Sequence, residues 1–493
     1  MSSYVCRVDP MPTVSSPAHW KRERWLLLLL YGLVLGLIGL HLFVLTLPAA
    51  LGPLPESWEA EAHWWGFWPI RYAPGWALWL GVAGIVGLLP WLWKSAAPVG
   101  LADESSRRSV LILALSLVLG FFAFPIVHTR WGDAYILANA LAWPDPTLRL
   151  THSWQAPLDV FLHSQLWLAL HQSYGWSDAT PVYRLLSPLA GMLYLAVALG
   201  LARRKQLAPG WLTFGLLASL GVLQLFFGYV ENYSFAAAGV LAYLWLGLAV
   251  LQGKRPLWWA ASLLALLNAT HPSTIVLAPS LLFLGWQSWR GGRLAGGRTL
   301  LAIGLPVLLV AAGTVALMEA GGHGLAALVG SDRPGGGDGR WLVPLFATTT
   351  RWEHYTLFSW PHLRDFLNEQ MLVAPVVLPA LLLLWIGTIP DKERSVAEAS
   401  KIDERPMAQF LLIAAVCYWL FVWLWNPDYG GQRDWDLFSL STIPSTLLLI
   451  WWLPRIFTFP ALLRAAGLPL ILFQALHTAA FVYQNTLSWQ WPG

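Results

Sequence analysis

The sequence predicts an all-α fold, a polytopic membrane helical bundle of about thirteen spans. Its composition is 57% hydrophobic and 11% charged, whereas soluble domains carry about 25% charged residues. Several apolar runs approach or exceed the roughly 20 residues that a helix needs to cross a bilayer. The alternating pattern of outer-membrane strands is absent from the sequence. Because backbone hydrogen bonds inside a bilayer must be satisfied within the segment, the spans are predicted to be helices.

The predicted spans follow a short tail, residues 1–24, and residues 25–493 form a single membrane-embedded domain. The spans are 25–47, 76–93, 109–127, 183–202, 209–228, 234–251, 257–268, 273–288, 299–318, 371–389, 408–425, 438–453 and 460–485. The first is too long for a cleaved signal peptide and is predicted to be a retained anchor. One of the two cysteines lies in the tail and the other in a span, so no disulfide is expected.

Lysine and arginine set the predicted orientation. With a cytoplasmic N-terminus, all six lysines fall on the cytoplasmic side. Residues 128–182 and 319–370 are then the long outer loops, and nine of the twelve histidines lie in outer loops. Within the first, Leu158 to Leu170 is predicted to be an amphipathic helix in the membrane interface. The glycine-rich stretch 319–340 is predicted to be a mobile loop.

The first polar cluster comprises His128, Arg130 and Asp133, directly after the third predicted span. A carboxylate at a span end can hold a divalent cation or act as a general base, and an arginine can pair with a phosphate. The structural alternative is that Asp133 caps a following helix over residues 134–142. The crowding of these three side chains favours a functional role.

Two short connections between predicted spans carry Glu231 and His271. Glu231 lies in a very short hairpin near the bilayer, where ionisable side chains are costly and usually face a cavity or a partner. Helix capping is an equally good interpretation of Glu231. His271 precedes Pro272, which breaks a helix, and a lone histidine is more often a structural group than a ligand. Both remain candidate substrate-binding residues.

A third group has helical spacing just before the span that begins near Met371. His362, Asp365 and Asn368 are each three residues apart, which places them along one face of a helix. Such a polar face either lines a headgroup site or is simply solvated. His362 and Asp365 are therefore candidate substrate-binding residues.

The densest polar cluster between two spans occupies residues 426–436. Two adjacent glycines permit a tight backbone there. Arg433 offers a bidentate fork for a phosphate, and Asp434 and Asp436 supply carboxylate oxygens. A salt-bridged turn is the structural alternative. The density of the cluster favours substrate binding by these three side chains.

Three segments of the sequence resemble the GT-C class of membrane glycosyltransferases, multi-span enzymes that use polyprenyl-phosphate-linked sugars. In one, Arg130-Trp131-Gly132-Asp133, an acidic residue follows an early span in an outer loop. The others are Tyr183-Arg184-Leu185-Leu186-Ser187-Pro188-Leu189-Ala190-Gly191, which enters a span, and the Thr270-His271-Pro272 break. With the spans around them, they cover roughly residues 120–290.

The resemblance implies a mechanism in which an outer-loop carboxylate deprotonates the acceptor hydroxyl, often beside a divalent cation (Mg²⁺ or Mn²⁺). Basic residues hold the lipid phosphate, which leaves, and the sugar inverts at its anomeric carbon. Carried over to this sequence, Asp133 is the catalytic carboxylate and a candidate metal ligand. Arg433 or Arg130 would hold the phosphate. The resemblance assigns no role to the Arg433-Asp434-Trp435-Asp436 motif.

The predicted function is sugar transfer from a polyprenyl-phosphate carrier to a glycan, lipid or protein acceptor. The predicted place is the outer face of a bacterial inner (plasma) membrane. A transporter or flippase of lipid-linked substrates is an alternative, but such proteins tend to show repeated halves, and no repeat is seen. A non-catalytic subunit of a membrane complex is another, and it predicts scattered polar residues. No Walker motif, zinc-ligand pair or nucleotide fingerprint occurs, and no nucleic-acid partner is expected.

Overall fold

The computed structural model describes residues 17–96, 106–204, 207–330, 339–388 and 405–489. The helices are α1 (Pro17–Thr46), α2 (Ala60–Trp64), α3 (Gly75–Ser95), α4 (Ser106–Ala123), α5 (Ala134–Ala140), α6 (Pro157–Tyr174), α7 (Thr180–Ala202), α8 (Gly210–Leu217), α9 (Ser234–Leu251), α10 (Leu257–Thr270), α11 (Ala278–Arg290), α12 (Gly296–Ala320), α13 (Leu325–Val329), α14 (Trp360–Val373), α15 (Val377–Thr388), α16 (Arg405–Leu424), α17 (Trp435–Ser439), α18 (Thr442–Ile456) and α19 (Pro460–Asn485). Three 3₁₀ helices, Trp68–Tyr72, Gly221–Phe226 and Pro272–Leu277, lie between them. The predicted all-α fold class is confirmed.

The described residues contain eight helices long and apolar enough to cross a membrane. A ninth span results if α14 and α15, which meet at a bend of 103°, count as one. The chain is therefore an integral membrane protein with a polytopic helical bundle, as predicted. The count of thirteen spans is not confirmed, because some predicted spans are shorter helices, such as α10 with 14 residues. Such lengths fall below the roughly 20 residues that a span needs.

The predicted span over residues 209–228 differs most from the structure. The chain there forms α8, which has 8 residues, and then the 3₁₀ helix Gly221–Phe226, both largely buried. Side chains of α19 bond to the interruption: Gln474 Nε2 donates to Leu216 O at 3.2 Å and Thr478 Oγ1 donates to Ser219 O at 2.6 Å. The break is tolerated because these tertiary bonds satisfy carbonyls that a continuous helix would have bonded itself.

A second, smaller core lies beside the main one and joins α5, α6 and the start of α7. Helix α6 confirms the helix predicted over 158–170. It buries Asp159, His163 and Ser164 and exposes Leu162 and Leu168. The buried face also carries Val160 and Trp167, and Gln165 is exposed, so both faces mix polar and apolar side chains. The place of α6 in the membrane interface stays a prediction.

Some predicted features fall wholly or partly outside the described residues. They include most of the N-terminal tail with Cys6, and Lys205, Lys392 and Lys401. In the glycine-rich stretch predicted to be mobile, α12 ends at Ala320 and α13 occupies Leu325–Val329, whereas residues 331–338 are not described. Cys417 is a free thiol.

Candidate active site

Two connections that are far apart in sequence meet at Gly132. Its backbone N–H donates to the carbonyl oxygen of Arg433 at 2.9 Å, which joins the loop before α5 to the loop before α17. Gly132 has φ +45°, in the left-handed region that favours glycine. A Cβ there would lie 2.6 Å from Glu231 Oε1 and 3.2 Å from Asp436 Oδ2. Glycine therefore lets the carboxylates of Glu231 and Asp436 pack directly against this loop.

Asp133 precedes α5, but its side chain makes no capping hydrogen bond to the helix. Instead, its Oδ1 accepts a hydrogen bond from the hydroxyl of Tyr429 at 2.8 Å. Its backbone N–H donates to Glu231 Oε1. Burial raises the pKa of Asp133, and the bond from Tyr429 and the charge of Arg433 partly offset that rise. A held carboxylate with a raised pKa suits general-base catalysis near neutral pH.

Tyr429 bonds two carboxylates, one through its side-chain hydroxyl and the other through its backbone N–H. Its hydroxyl bonds Asp133, and its backbone N–H donates to Asp434 Oδ2 at 2.7 Å. The guanidinium of Arg433 lies over its ring, 4.7 Å from the centroid. Burial raises the pKa of the Tyr429 phenol, so it stays a proton donor at neutral pH. Burial and the neighbouring charge of Asp436 also raise the pKa of Asp434.

Glu231 and Asp436 are buried against the loop before α5, and the two residues are 4% and 2% exposed. Asp436 Oδ2 accepts a hydrogen bond from the hydroxyl of Tyr229 at 3.0 Å, and Glu231 Oε1 accepts from the backbone of Asp133. Burial, together with the charges of Asp436 and Asp133, raises the pKa of Glu231. Glu231 therefore holds the loop before α5, and Asp436 holds the connection before α9 through Tyr229. Asp133 and Asp434 instead line the cavity described next.

A cavity of about 930 Å³ lies between the smaller core, formed by α5, α6 and the start of α7, and the loops that flank α16. The polar groups on its wall include Asp133, Ser153, Gln155, Asn232, His271, Ser273, Asn426, Asp428 and Asp434. Its aromatic groups are Tyr233, Trp341, Trp352, Phe421, Trp425 and Tyr429. No lysine or arginine lines it within the part of the chain that the structure describes. The size matches a small-molecule site, for which about 300–1,000 Å³ is usual.

His271 lines this cavity and also follows the last residue of α10. Its Nδ1 accepts a hydrogen bond from the Ser273 backbone N–H at 3.3 Å, at the start of the 3₁₀ helix Pro272–Leu277. Its ring packs on Tyr233 with centroids 4.4 Å apart. Burial lowers the pKa of His271 to about 3, so the imidazole is neutral at physiological pH.

Arg130 and His128 lie beside the cavity rather than on its wall. Arg130 Nη2 forms an ion pair with Glu61 Oε1 at 3.1 Å, and both side chains are buried. His128 Nδ1 accepts from the Arg130 backbone N–H at 3.3 Å, and burial lowers the pKa of His128 to about 4. Because its charge is matched by Glu61, Arg130 is placed to hold the loop to α2.

His362 and Asp365 lie on α14 as predicted, away from the cavity wall. His362 Nδ1 bonds the carbonyl oxygen of Leu357 at 2.7 Å, and the Trp65 indole donates to Asp365 Oδ1 at 3.2 Å. Asn368 Oδ1 accepts from the Gly66 backbone at 3.0 Å. The shared polar face of α14 therefore docks the helix onto neighbouring segments of the chain.

Several cavity residues were not among the predicted site residues. Tyr429 is the most important, and Asn232, Tyr233 and the wall tryptophans are others. Their positions in the sequence could have indicated them, because Asn232 and Tyr233 directly follow Glu231 and Tyr429 directly precedes the glycine pair. For the tryptophans there was no local signal, since loops distant in sequence bring them together.

The sequence predicts a divalent cation, with Asp133 as its candidate ligand. Among the described residues, no group of three or more His, Cys, Asp or Glu side chains has an arrangement that could hold a metal ion. Asp133, the candidate metal ligand, directs one carboxylate oxygen to Tyr429. A divalent cation at Asp133 stays a prediction, and the steps proposed below use only the chain's own groups.

No family model and no curated protein matches this sequence. The structure is similar to the crystal structure of ArnT from Cupriavidus metallidurans bound to undecaprenyl phosphate, with 13% sequence identity and a TM-score of 0.44. The similarity covers 78% of each chain. At this identity and TM-score no residue or activity is transferred from one protein to the other.

Proposed function

We propose that this protein is a membrane glycosyltransferase that moves a sugar from a polyprenyl-phosphate carrier to an acceptor hydroxyl. The observation that carries the proposal is the setting of Asp133. Its carboxylate lies on the wall of a cavity of about 930 Å³, held by the Tyr429 hydroxyl. The lipid-linked donor is the one that the sequence resemblance implies.

In the proposed reaction, Asp133 takes the proton of the acceptor hydroxyl as that oxygen attacks the anomeric carbon of the sugar. A new carbon–oxygen bond forms to the acceptor while the bond to the phosphate oxygen breaks. The bonding electron pair leaves with the polyprenyl phosphate, and Asp133 later returns its proton to water. Holding the base at the attacking oxygen supplies both orientation and proton transfer.

The leaving phosphate needs a cation, and our candidate is Arg433, which lies beside the cavity rather than on its wall. Its guanidinium lies against the ring of Tyr429, a cavity residue that also contacts Asp133. An arginine can form two parallel bonds to phosphate oxygens, which stabilises the charge that develops as the sugar leaves. Arg130, the other predicted phosphate ligand, forms an ion pair with Glu61.

The cavity is proposed to face the non-cytoplasmic side. The connections before α5, α9 and α17 converge on it, and the predicted orientation places all three outside. A thiol-reactive probe that cannot cross membranes tests this in a cysteine-free background. Asp145→Cys should react in intact cells and Lys254→Cys only after lysis, and the reverse pattern would invert the orientation.

The proposed activity is tested with the full chain in liposomes and a polyprenyl-phosphate donor labelled in its sugar. Membrane extracts of the source cells supply acceptors. Glycosyl transfer predicts that labelled acceptor and free polyprenyl phosphate appear in equal amounts. Movement of intact donor between leaflets without cleavage would instead indicate a transporter or flippase and overturn the proposal.

A further inference from the structure

We infer that the acceptor is a neutral saccharide, bound on a wall formed by Trp341, Trp352 and Trp425, here called the tryptophan wall. All three line the cavity that contains Asp133. The inference rests on the proposed function, because it names the molecule whose hydroxyl Asp133 would deprotonate.

Backbone pairing fixes the tryptophan wall in place. An antiparallel bridge pairs Leu342 with Trp425, and the Asn426 N–H donates to Trp341 O at 3.0 Å. Asn426 also bonds the third member, since its Nδ2 donates to Trp352 O at 3.1 Å. The outer loop is thereby attached to the end of α16. The indoles are thus preorganised, which lowers the entropic cost of binding.

The wall presents aromatic surface toward the cavity. The Trp341 and Trp425 rings are nearly parallel, with an interplanar angle of 17° and centroids 6.3 Å apart. Trp341 is 45% exposed. Arg351 lies over the Trp352 ring, 4.4 Å from its centroid, and Trp352 also lines the cavity. Aromatic faces carry partial negative charge and attract C–H groups such as those on one side of a sugar ring.

The same wall adjoins the carboxylates. Trp352 packs edge-to-face on Tyr429 with centroids 6.1 Å apart, and the hydroxyl of Tyr429 bonds Asp133. Asp428 and Asp434 also line the cavity. A sugar ring against the indoles would direct its hydroxyl edge to carboxylate oxygens, which accept strong hydrogen bonds. Apolar faces combined with donor hydroxyls are the chemistry of a saccharide.

Other acceptor classes fit the cavity less well. A phosphorylated acceptor would meet the carboxylates of Asp133, Asp428 and Asp434 on the wall, and Arg433 beside the wall is already assigned to the donor phosphate. A polypeptide held as an added strand needs an unpaired strand edge. Here Trp341 O and the Val343 N–H are already bonded to the end of α16. A neutral saccharide needs neither a cation nor a strand edge.

Binding is tested separately from catalysis with the purified full chain on an array. The array carries neutral oligosaccharides, phosphorylated oligosaccharides and serine- and threonine-containing peptides. Neutral oligosaccharides are expected to bind, and Trp341→Ala should weaken that binding about ten-fold or more. Its backbone bond to Asn426 does not require the indole. Trp341→Phe should recover part of the affinity, and Trp58→Ala, at a 66% exposed indole outside the cavity, should change nothing.

Asp133→Asn separates the two proposals, because it should abolish transfer while the array still shows neutral saccharide binding. Saccharide binding without transfer by the wild-type chain would contradict the proposed function and keep the tryptophan wall. Preference for peptides or phosphorylated glycans, no glycan binding, or equal losses in Trp341→Ala and Trp58→Ala would overturn the inference.

Discussion

Tyr429 determines how Asp133 is presented to the cavity. Its hydroxyl donates to Asp133 Oδ1 at 2.8 Å, while its backbone N–H holds Asp434. A hydrogen bond from a neutral donor stabilises the charged carboxylate more than the protonated one, and so lowers the pKa of Asp133. Burial raises that same pKa. The bond from Tyr429 therefore offsets part of the rise in pKa that burial causes.

Tyr429→Phe removes that hydroxyl and should raise the pKa of Asp133 further. Because the base form then needs a higher pH, the acidic limb of the pH–rate profile should move to higher pH. A charge-assisted hydrogen bond contributes about 1.5–3 kcal/mol, so kcat should fall about ten-fold to a hundred-fold. Tyr174→Phe, at a 67% exposed side chain, is the matched control. An unchanged profile would exclude this role for Tyr429.

Glu231 is expected to act as a neutral hydrogen-bond acceptor. Burial and the charges of Asp436 and Asp133 raise its pKa, and it accepts from the Asp133 backbone N–H. Glu231→Gln retains an oxygen for that bond and should keep most of the transfer rate. Glu231→Ala removes it and should cost about 1–3 kcal/mol in free energy of unfolding, with a large loss of transfer. Thermal unfolding and transfer assays check both variants. Equal inactivity of the two would mean that the charge itself is required.

Among the elements, the connections between helices determine the site more than the helices do. The loop before α5 and the loop before α17 are joined through Gly132 and Arg433. The sequence predicted both clusters of polar residues, because each stands out between apolar runs. It did not predict that the two clusters are in contact, because the hydrogen bond joins Gly132 to Arg433, residues far apart in the sequence. Only the packing of the helices decides which loops meet.

Gly132→Ala tests this junction. The positive φ of +45° and a Cβ 2.6 Å from Glu231 Oε1 both oppose any side chain there. Strain of this kind costs about 1–3 kcal/mol, so the midpoint of thermal unfolding and the transfer rate should both fall. Gly313→Ala is the control, because its added Cβ would meet nothing within 4 Å. Equal behaviour of the two variants would show that the junction tolerates a side chain.

The membrane bundle was predictable from the sequence because composition and apolar run length act along the whole chain. Long runs such as α9 and α19 were predicted with their observed bounds, whereas α1 begins at Pro17, well before the predicted start at residue 25. The interruption between α8 and the 3₁₀ helix Gly221–Phe226 was not, because it depends on bonds from α19 that no local pattern encodes. The sequence correctly predicted that His362 and Asp365 share a helical face. It could not predict that this face docks α14 onto neighbouring segments, because those contacts also depend on tertiary packing.

The cavity also belongs to the whole molecule. Its wall takes residues from α5, from the connection before α9, from the break at His271 and from the loops that flank α16. Asp133 was the predicted catalytic carboxylate, and the structure places it on this wall. The tryptophan wall beside it depends on the pairing of residues 341–343 with 424–426. That pairing has no sequence signature.

The measurement that tests the central claim most directly compares Asp133→Asn with Asp145→Asn in sugar transfer from a labelled polyprenyl-phosphate donor. Asp145 lies in the same predicted outer loop and is exposed, and its side chain accepts hydrogen bonds from Thr147. Asp133→Asn should lose at least about a hundred-fold in rate with unchanged thermal unfolding, as the loss of a general base predicts. Asp145→Asn should transfer sugar like the wild-type chain. Full transfer by a folded Asp133→Asn protein would contradict the assignment of Asp133 as the base.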